Sequence, residues 1–214
     1  MNGEGDREGD SSEAEDFWED HYRRRERVWS GEANAVLVDV AASLSAATAL
    51  DLGCGEGGDA IWLAKRDWQV TAVDVSVTAL ERASIEAAAA GVEARIDFQQ
   101  HDLALSFPAG AFHLVSAQYL QSPLDFPRDH VLQAAARAVT PVGCCCRRAR
   151  LGRTLGLESR SACLRGPGGP ARRARPGARA VGDRAAGRFR TSRDRPDGQS
   201  AVVADNVIAV RRAP

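Results

Sequence analysis

No stretch of the chain approaches the roughly 20 consecutive apolar residues that cross a bilayer. Its first residues, MNGEGDREGDSSEAED, lack the basic-then-apolar order of a secretory signal. A membrane or secreted protein is therefore not expected, and the reading is cytoplasmic. The five cysteines are odd in number and irregular in spacing, which argues against a disulfide framework and for reduced thiols. Cys144-Cys145-Cys146 stand side by side, without the interval that lets two thiolates hold one zinc ion, so no metal site is expected.

What is present fits one core: 214 residues, 44% hydrophobic and 27% charged, with a formal net charge of −1. Collagen-like and wholly disordered chains are excluded. The small net charge conceals unlike parts. Residues 1–141 carry 24 acidic and 11 basic residues, a net of −13, and residues 142–195 carry 3 acids and 15 arginines, a net of +12. Residues 196–214 are balanced.

The stretch 1–15 is acidic and rich in Gly and Ser, too poor in apolar groups to offset ordering entropy, and reads as a disordered tail. From Glu15, the spacing of Phe17, Trp18, Tyr22, Val28 and Trp29 predicts one helix; Leu37, Val40, Ala41 and Leu44 predict a second, with Ser30-Gly31 as breaker and Asn34 near its start. Strands are then expected at ATALDLG, QVTAVDV, ARIDFQQ and FHLVSAQYL, alternating with helices at Asp59–Arg66, Ser76–Ala90 and Asp129–Val139. That alternation predicts an α/β fold, a mostly parallel sheet with helices on both faces. After Pro141 no apolar period remains until residues 196–214, where the runs AVVA and NVIAV around Asp205 predict a C-terminal hairpin.

The densest chemical signal is Asp51-Leu52-Gly53-Cys54-Gly55-Glu56-Gly57-Gly58, after a strand and before a helix. Gly53, Gly55 and Gly58 satisfy a dinucleotide spacing, while Asp51, Gly53, Gly55 and Gly57 satisfy that of S-adenosylmethionine (SAM) sites. An acid at the end of the first strand favours the second, because it suits a cationic amino group and repels a pyrophosphate. Asp74 ends the second strand, where it can accept from both ribose hydroxyls of either ligand. Asp102, beside His101, is placed to accept from an adenine amino group.

Residues 15–141 resemble the class I SAM-dependent methyltransferases of the small single-domain type. FWEDHYRRRERVWSGEAN, LDLGCGEGGDA, VTAVDVS, HDL, FHLVSAQYL and the C-terminal PDGQSAVVADNVIAVRR carry the resemblance. It implies a Rossmann-like fold, SAM as cofactor and a small-molecule methyl acceptor as partner. The implied cofactor residues are Asp51, Gly53, Cys54, Gly55, Gly57, Asp74, Val75, Asp102, Leu103 and Gln118, capped by Trp29 and Asn34, with Tyr22 in support. One departure is His113, where the family's usual reading is FDLV. Methyl transfer needs alignment rather than a triad. Trp29 or Tyr119 could face the sulfonium by cation–π contact, and His21, His101 and His130 are the candidates for removing an acceptor proton.

Residues 142–195 fit this frame poorly. An Arg-rich nucleic-acid surface would follow from phosphate neutralisation, but Phe189 is the segment's only aromatic and offers little base stacking. The expectation is instead a stretch of GC-rich coding sequence read in a shifted frame, leaving the fifth strand missing or disrupted. The alternative functions are then a SAM- or nucleotide-binding module without turnover, or an Arg-rich nucleic-acid-binding protein.

Overall fold

Strand and helix alternate along most of the chain in the computed structural model, which describes residues 12–150, 185–194 and 200–211, and the side chains of 12–141. Helix α1 (Glu13–Arg23) is capped by Ser12, whose hydroxyl accepts the Glu15 N–H at 3.1 Å, and its acidic first turn complements the helix dipole. Helix α2 (Ala35–Ala41) is capped by Asn34. Then follow β1 (Thr48–Leu52), α3 (Gly58–Ala64), β2 (Gln69–Asp74), α4 (Val77–Ala89), β3 (Ile96–Gln100), β4 (Phe112–Gln118), α5 (Arg128–Arg137), β5 (Val139–Arg150), β6 (Ala185–Asp194) and β7 (Ser200–Arg211). Ser76 caps α4, and Gly91, left-handed at φ 69°, follows its end, as the sequence predicts.

The sheet order is β3-β2-β1-β4-β5-β7-β6. Strands β1 to β5 pair in parallel, and β7 runs antiparallel between β5 and β6. Side chains that alternate along the strands supply two cores. Ala49, Val70, Ala72 and Leu114 pack on one face with Leu37, Leu63, Trp68 and Ala87; Leu50, Leu52, Val73 and Val115 pack on the other with Val131, Leu132 and Ala135. The chain steps outward from β1 to β3 and returns to β4 on the other side of β1. The carboxyl ends of β1 and β4 thus form the crevice where such sheets bind ligands. Among the described residues no helix is long and apolar enough to cross a membrane.

Four expectations are corrected. The fifth strand, expected to be missing or disrupted, is present, though its ladder with β4 shifts register between Phe112 and Leu114: residues 144–148 pair with β4 on one side and with β7 on the other. A ladder joins backbone groups, so it does not require the apolar side-chain period whose absence suggested its loss. The expected C-terminal antiparallel hairpin is present but with other bounds: its strands are β6 and β7 rather than two runs within 196–214, and β7 runs unbroken through Asp205, which the register Phe189↔Asp205 keeps in the ladder. The segment 142–195, expected to be irregular, thus contributes most of β5 and all of β6, and its residues 151–184 lie outside the described residues. At the other end, α1 begins at Glu13, within the stretch read as a tail, and stops at Arg23, so Val28 and Trp29 are not helical; residues 1–11 lie outside the described residues.

Candidate functional site

The turn leaving β1 is forced by three glycines with positive φ: Gly53 (69°), Gly55 (54°) and Gly57 (83°). The N–H groups of Gly53 and Cys54 both donate to the Val73 carbonyl, at 2.8 and 2.9 Å, which locks the loop to β2. A Cβ would also collide at each position: with Leu120 at Gly53 (2.9 Å), with Tyr22 Oη at Gly55 (2.9 Å) and with Ala83 at Gly57 (2.8 Å). The glycines therefore serve the turn and the close packing of the protein's own groups onto it.

Four acids lie beside this loop and along the strand ends. Asp51, 2% exposed at the end of β1, has one carboxylate oxygen, Oδ2, with no hydrogen-bond partner. Its pKa is pushed well above the ordinary carboxylate value by burial, then by the charges of Asp59 and Asp74, against a hydrogen bond with Ser116. Asp59, on α3, was not singled out from the sequence; its carboxylate accepts the Asn34 N–H at 2.6 Å. Asp74 accepts the Gly55 N–H at 2.8 Å and the Ser76 N–H at 3.1 Å; burial raises its pKa and those backbone donors partly offset the rise. Asp102 accepts from the Ser12 hydroxyl at 2.6 Å and from the Ala104 N–H at 2.9 Å.

Helix α1 lies over this edge of the sheet with a polar stripe at helical spacing. Ser12 reaches Asp102, Glu15 accepts from Gln100 (2.9 Å), and Glu19 accepts from the Ser76 hydroxyl (2.6 Å) and from the hydroxyl and N–H of Thr78. Tyr22 accepts from Trp29 Nε1 at 3.0 Å. Ser12, Glu15 and Glu19 were missed in the sequence because their i, i+3, i+7 spacing is also that of a solvated helix face.

The remaining expected residues divide. Gln118 ends β4 and donates to Ser116 Oγ at 3.2 Å, and the next residue, Tyr119, is left-handed at φ 53°, a local strain at the crevice. Val75 presents its carbonyl to Gln100 at 3.2 Å, Leu103 is buried in the core on the α5 face, and Asn34 spends its side chain on the α2 cap. Trp29 is half exposed. Burial, then Asp74 and Asp51, push the Cys54 thiol up, so it is protonated at neutral pH. His101 is bonded to Ser106 and Gln99, His130 is exposed on α5, and His21 sits among the α1 aromatics with its ring centroid 5.7 Å from that of Tyr22. His113 bonds Thr48 at 2.9 Å at the opposite end of the strands, so this departure from the family pattern leaves the crevice untouched.

Residues 49–143 match a family model described as a methyltransferase domain. Over 97 residues the chain is 39% identical to the 27-O-demethylrifamycin SV methyltransferase of Amycolatopsis mediterranei, covering 44% of this chain and 35% of that protein. Over this stretch the chain is similar to a methyltransferase domain. It is also 37% identical over 95 residues to the ajmaline N-methyltransferase of Rauvolfia serpentina, covering 42% of this chain and 33% of that one. The chain thus spans about a third of the length of these curated relatives. A structure solved in work on the conversion of a disulfide bond into a thioacetal group during echinomycin biosynthesis superposes with a TM-score of 0.62 at 21% identity. That match covers 92% of this chain and 91% of the other, and shows the shared fold.

The chemistry of the site fits SAM as cofactor. An unpartnered buried carboxylate oxygen in an acidic crevice calls for a cationic donor, and the methionine part of SAM carries an ammonium group.

Proposed function

We propose that the protein transfers the sulfonium methyl group of SAM to a small-molecule acceptor. The orphaned Asp51 Oδ2 carries this reading, since a buried carboxylate among like charges is stable only when a cation or its own proton answers it. When bound, SAM would supply an electrophilic methyl group to the acceptor's lone pair, with S-adenosylhomocysteine as the leaving group.

The chain's own groups supply placement. Asp51 answers the ammonium group. Asp74 accepts the N–H groups of Gly55 and Ser76, with a further backbone hydrogen bond from Val75, and turns its remaining acceptor capacity to the ribose hydroxyls. Asp102 Oδ1 and Oδ2 have the same capacity toward an adenine amino group. Tyr22 and Trp29 close over Gly55 and keep water from the loop. Alignment of this kind lowers the barrier without an acid–base group at the reacting centre. Both the O-demethylrifamycin and the ajmaline enzymes are named for small-molecule methyl acceptors, which supports the same acceptor class here.

Equilibrium binding of SAM to the full chain tests the first half of the proposal. A folded sample that binds neither SAM nor S-adenosylhomocysteine rejects it, and binding without methyl release to any of a panel of small nucleophiles supports the module without turnover instead.

A further inference from the structure

Glu56 stands inside the glycine loop, between Gly55 and Gly57, with its side chain 6% exposed. A carboxylate removed from water needs donors around it, and the donors come from the chain segment that covers the loop. The Val28 N–H lies 3.0 Å from Oε2, the Trp29 N–H 2.9 Å from the same atom, and Arg82 Nη1 3.0 Å from Oε1. Arg82 uses its other terminal nitrogen, Nη2, to donate to the Tyr22 carbonyl at 3.1 Å. One guanidinium fork on α4 thus joins the loop carboxylate to the end of α1.

These links bracket the arginine-rich turn that follows α1, with Tyr22 on one side and Val28-Trp29 on the other. The ion pairs of that turn itself are exposed: Arg24–Asp20 has side chains 76% and 54% exposed, and Arg27–Glu86 54% and 53%. Water and salt screen such pairs, so they hold little. Between this turn and the glycine loop, the buried links are therefore those of Glu56 and Arg82. Directly beneath the turn, Tyr22 Oη and Trp29 Nε1 occupy the space a Gly55 side chain would take.

We propose that Glu56 and Arg82 form a latch that holds the Tyr22–Trp29 cover on the glycine loop, acting as positioning residues that set how long the methyl donor and its product remain bound. The proposal rests on reading that loop as the SAM site. A latch acts on escape more than on entry, so its loss raises the dissociation rate while association is largely kept. A role in general stability would instead loosen the sheet as a whole.

The full chain with Glu56→Gln, and separately with Arg82→Lys, tests this by two readouts. Hydrogen exchange of the cofactor-free protein should show Val28 and Trp29 amides exchanging about tenfold faster, or more, in both variants, with the amides of β1, β2 and β4 unchanged. Stopped-flow measurement should show S-adenosylhomocysteine leaving about tenfold faster, at an association rate within about twofold of the parent. Unchanged exchange at Val28 and Trp29, equal acceleration throughout the sheet, or an unchanged dissociation rate overturns the latch. If the parent chain binds no S-adenosylhomocysteine, the reading of the site fails, and the exchange arm alone decides whether Glu56 and Arg82 hold the cover.

Discussion

The Asp74 carboxylate accepts the Gly55 N–H at 2.8 Å, so the acid that ends β2 holds the middle of the loop that leaves β1. A single side chain therefore shapes the loop and faces the crevice. Asp74→Ala leaves a buried N–H without an acceptor, a cost of about 1–3 kcal/mol, and, on the proposed reading of the site, removes a contact to SAM. The expected outcome is a lower melting temperature together with SAM binding weakened about tenfold or more, read by calorimetry. Asp74→Asn, which keeps one carbonyl acceptor, should recover part of the stability.

Gly55 adopts φ 54° and leaves no space for a methyl group beneath Tyr22 Oη. Gly55→Ala should destabilise the fold by about 1–2 kcal/mol from the left-handed backbone alone, with the collision added. Tyr22→Phe removes the colliding hydroxyl. The double variant is expected to lose less than the two single variants together, by about 1 kcal/mol in a denaturant cycle. Strict additivity would show that the contact carries no strain.

With Asp51 answering the ammonium group as proposed, its raised pKa gives SAM binding a pH dependence whose sign follows from the direction of the shift. Burial and the charges of Asp59 and Asp74 favour its protonated form; a cationic ligand favours the ionised one. Binding must then release a proton, and affinity must rise with pH from the ordinary carboxylate range up to the raised pKa. Folding responds in the opposite sense. With the folded pKa above the unfolded one, the stabilisation from protonated Asp51 is complete below the unfolded value and is lost as pH rises through the folded one. Calorimetry in two buffers of different ionisation enthalpy measures the proton, and Asp51→Asn should abolish its release.

Glu19 fastens α1 to the start of α4. Burial pushes its pKa up, but hydrogen bonds from Ser76 and Thr78, with help from Arg23, outweigh this and hold it below the ordinary value. The stability it contributes is present above the unfolded glutamate pKa and is lost as pH falls through the lowered one. Glu19→Ala should therefore speed proteolysis at Arg23–Arg25 at neutral pH, while the sheet core stays resistant.

The loop and its acids were legible because their signals are local. Gly53, Gly55 and Gly57 occur where a strand must turn into a helix, and Asp51 and Asp74 close two apolar runs, so their positions follow from short-range pattern. The cover was only half legible. The spacing of Tyr22 and Trp29 suits 3.6 residues per turn and predicts one continuous helix, whereas α1 ends at Arg23. What ends the register is distant: the N–H groups of Val28 and Trp29 are taken by Glu56, some 27 residues ahead in the chain. Glu56 itself reads in the sequence as one more polar residue among glycines.

Alone, the sequence determined the alternation of strand and helix, the parallel sheet, the glycine turn and two of the acids at the strand ends, since backbone preference and apolar period act within a few residues. Only the tertiary structure decided that β5 and β6 complete the sheet, that Asp59 joins Asp51 and Asp74, and that α1 reaches Asp102, Gln100 and Ser76 across the crevice. Backbone ladders and buried charges depend on groups brought together from far along the chain, which local pattern does not encode.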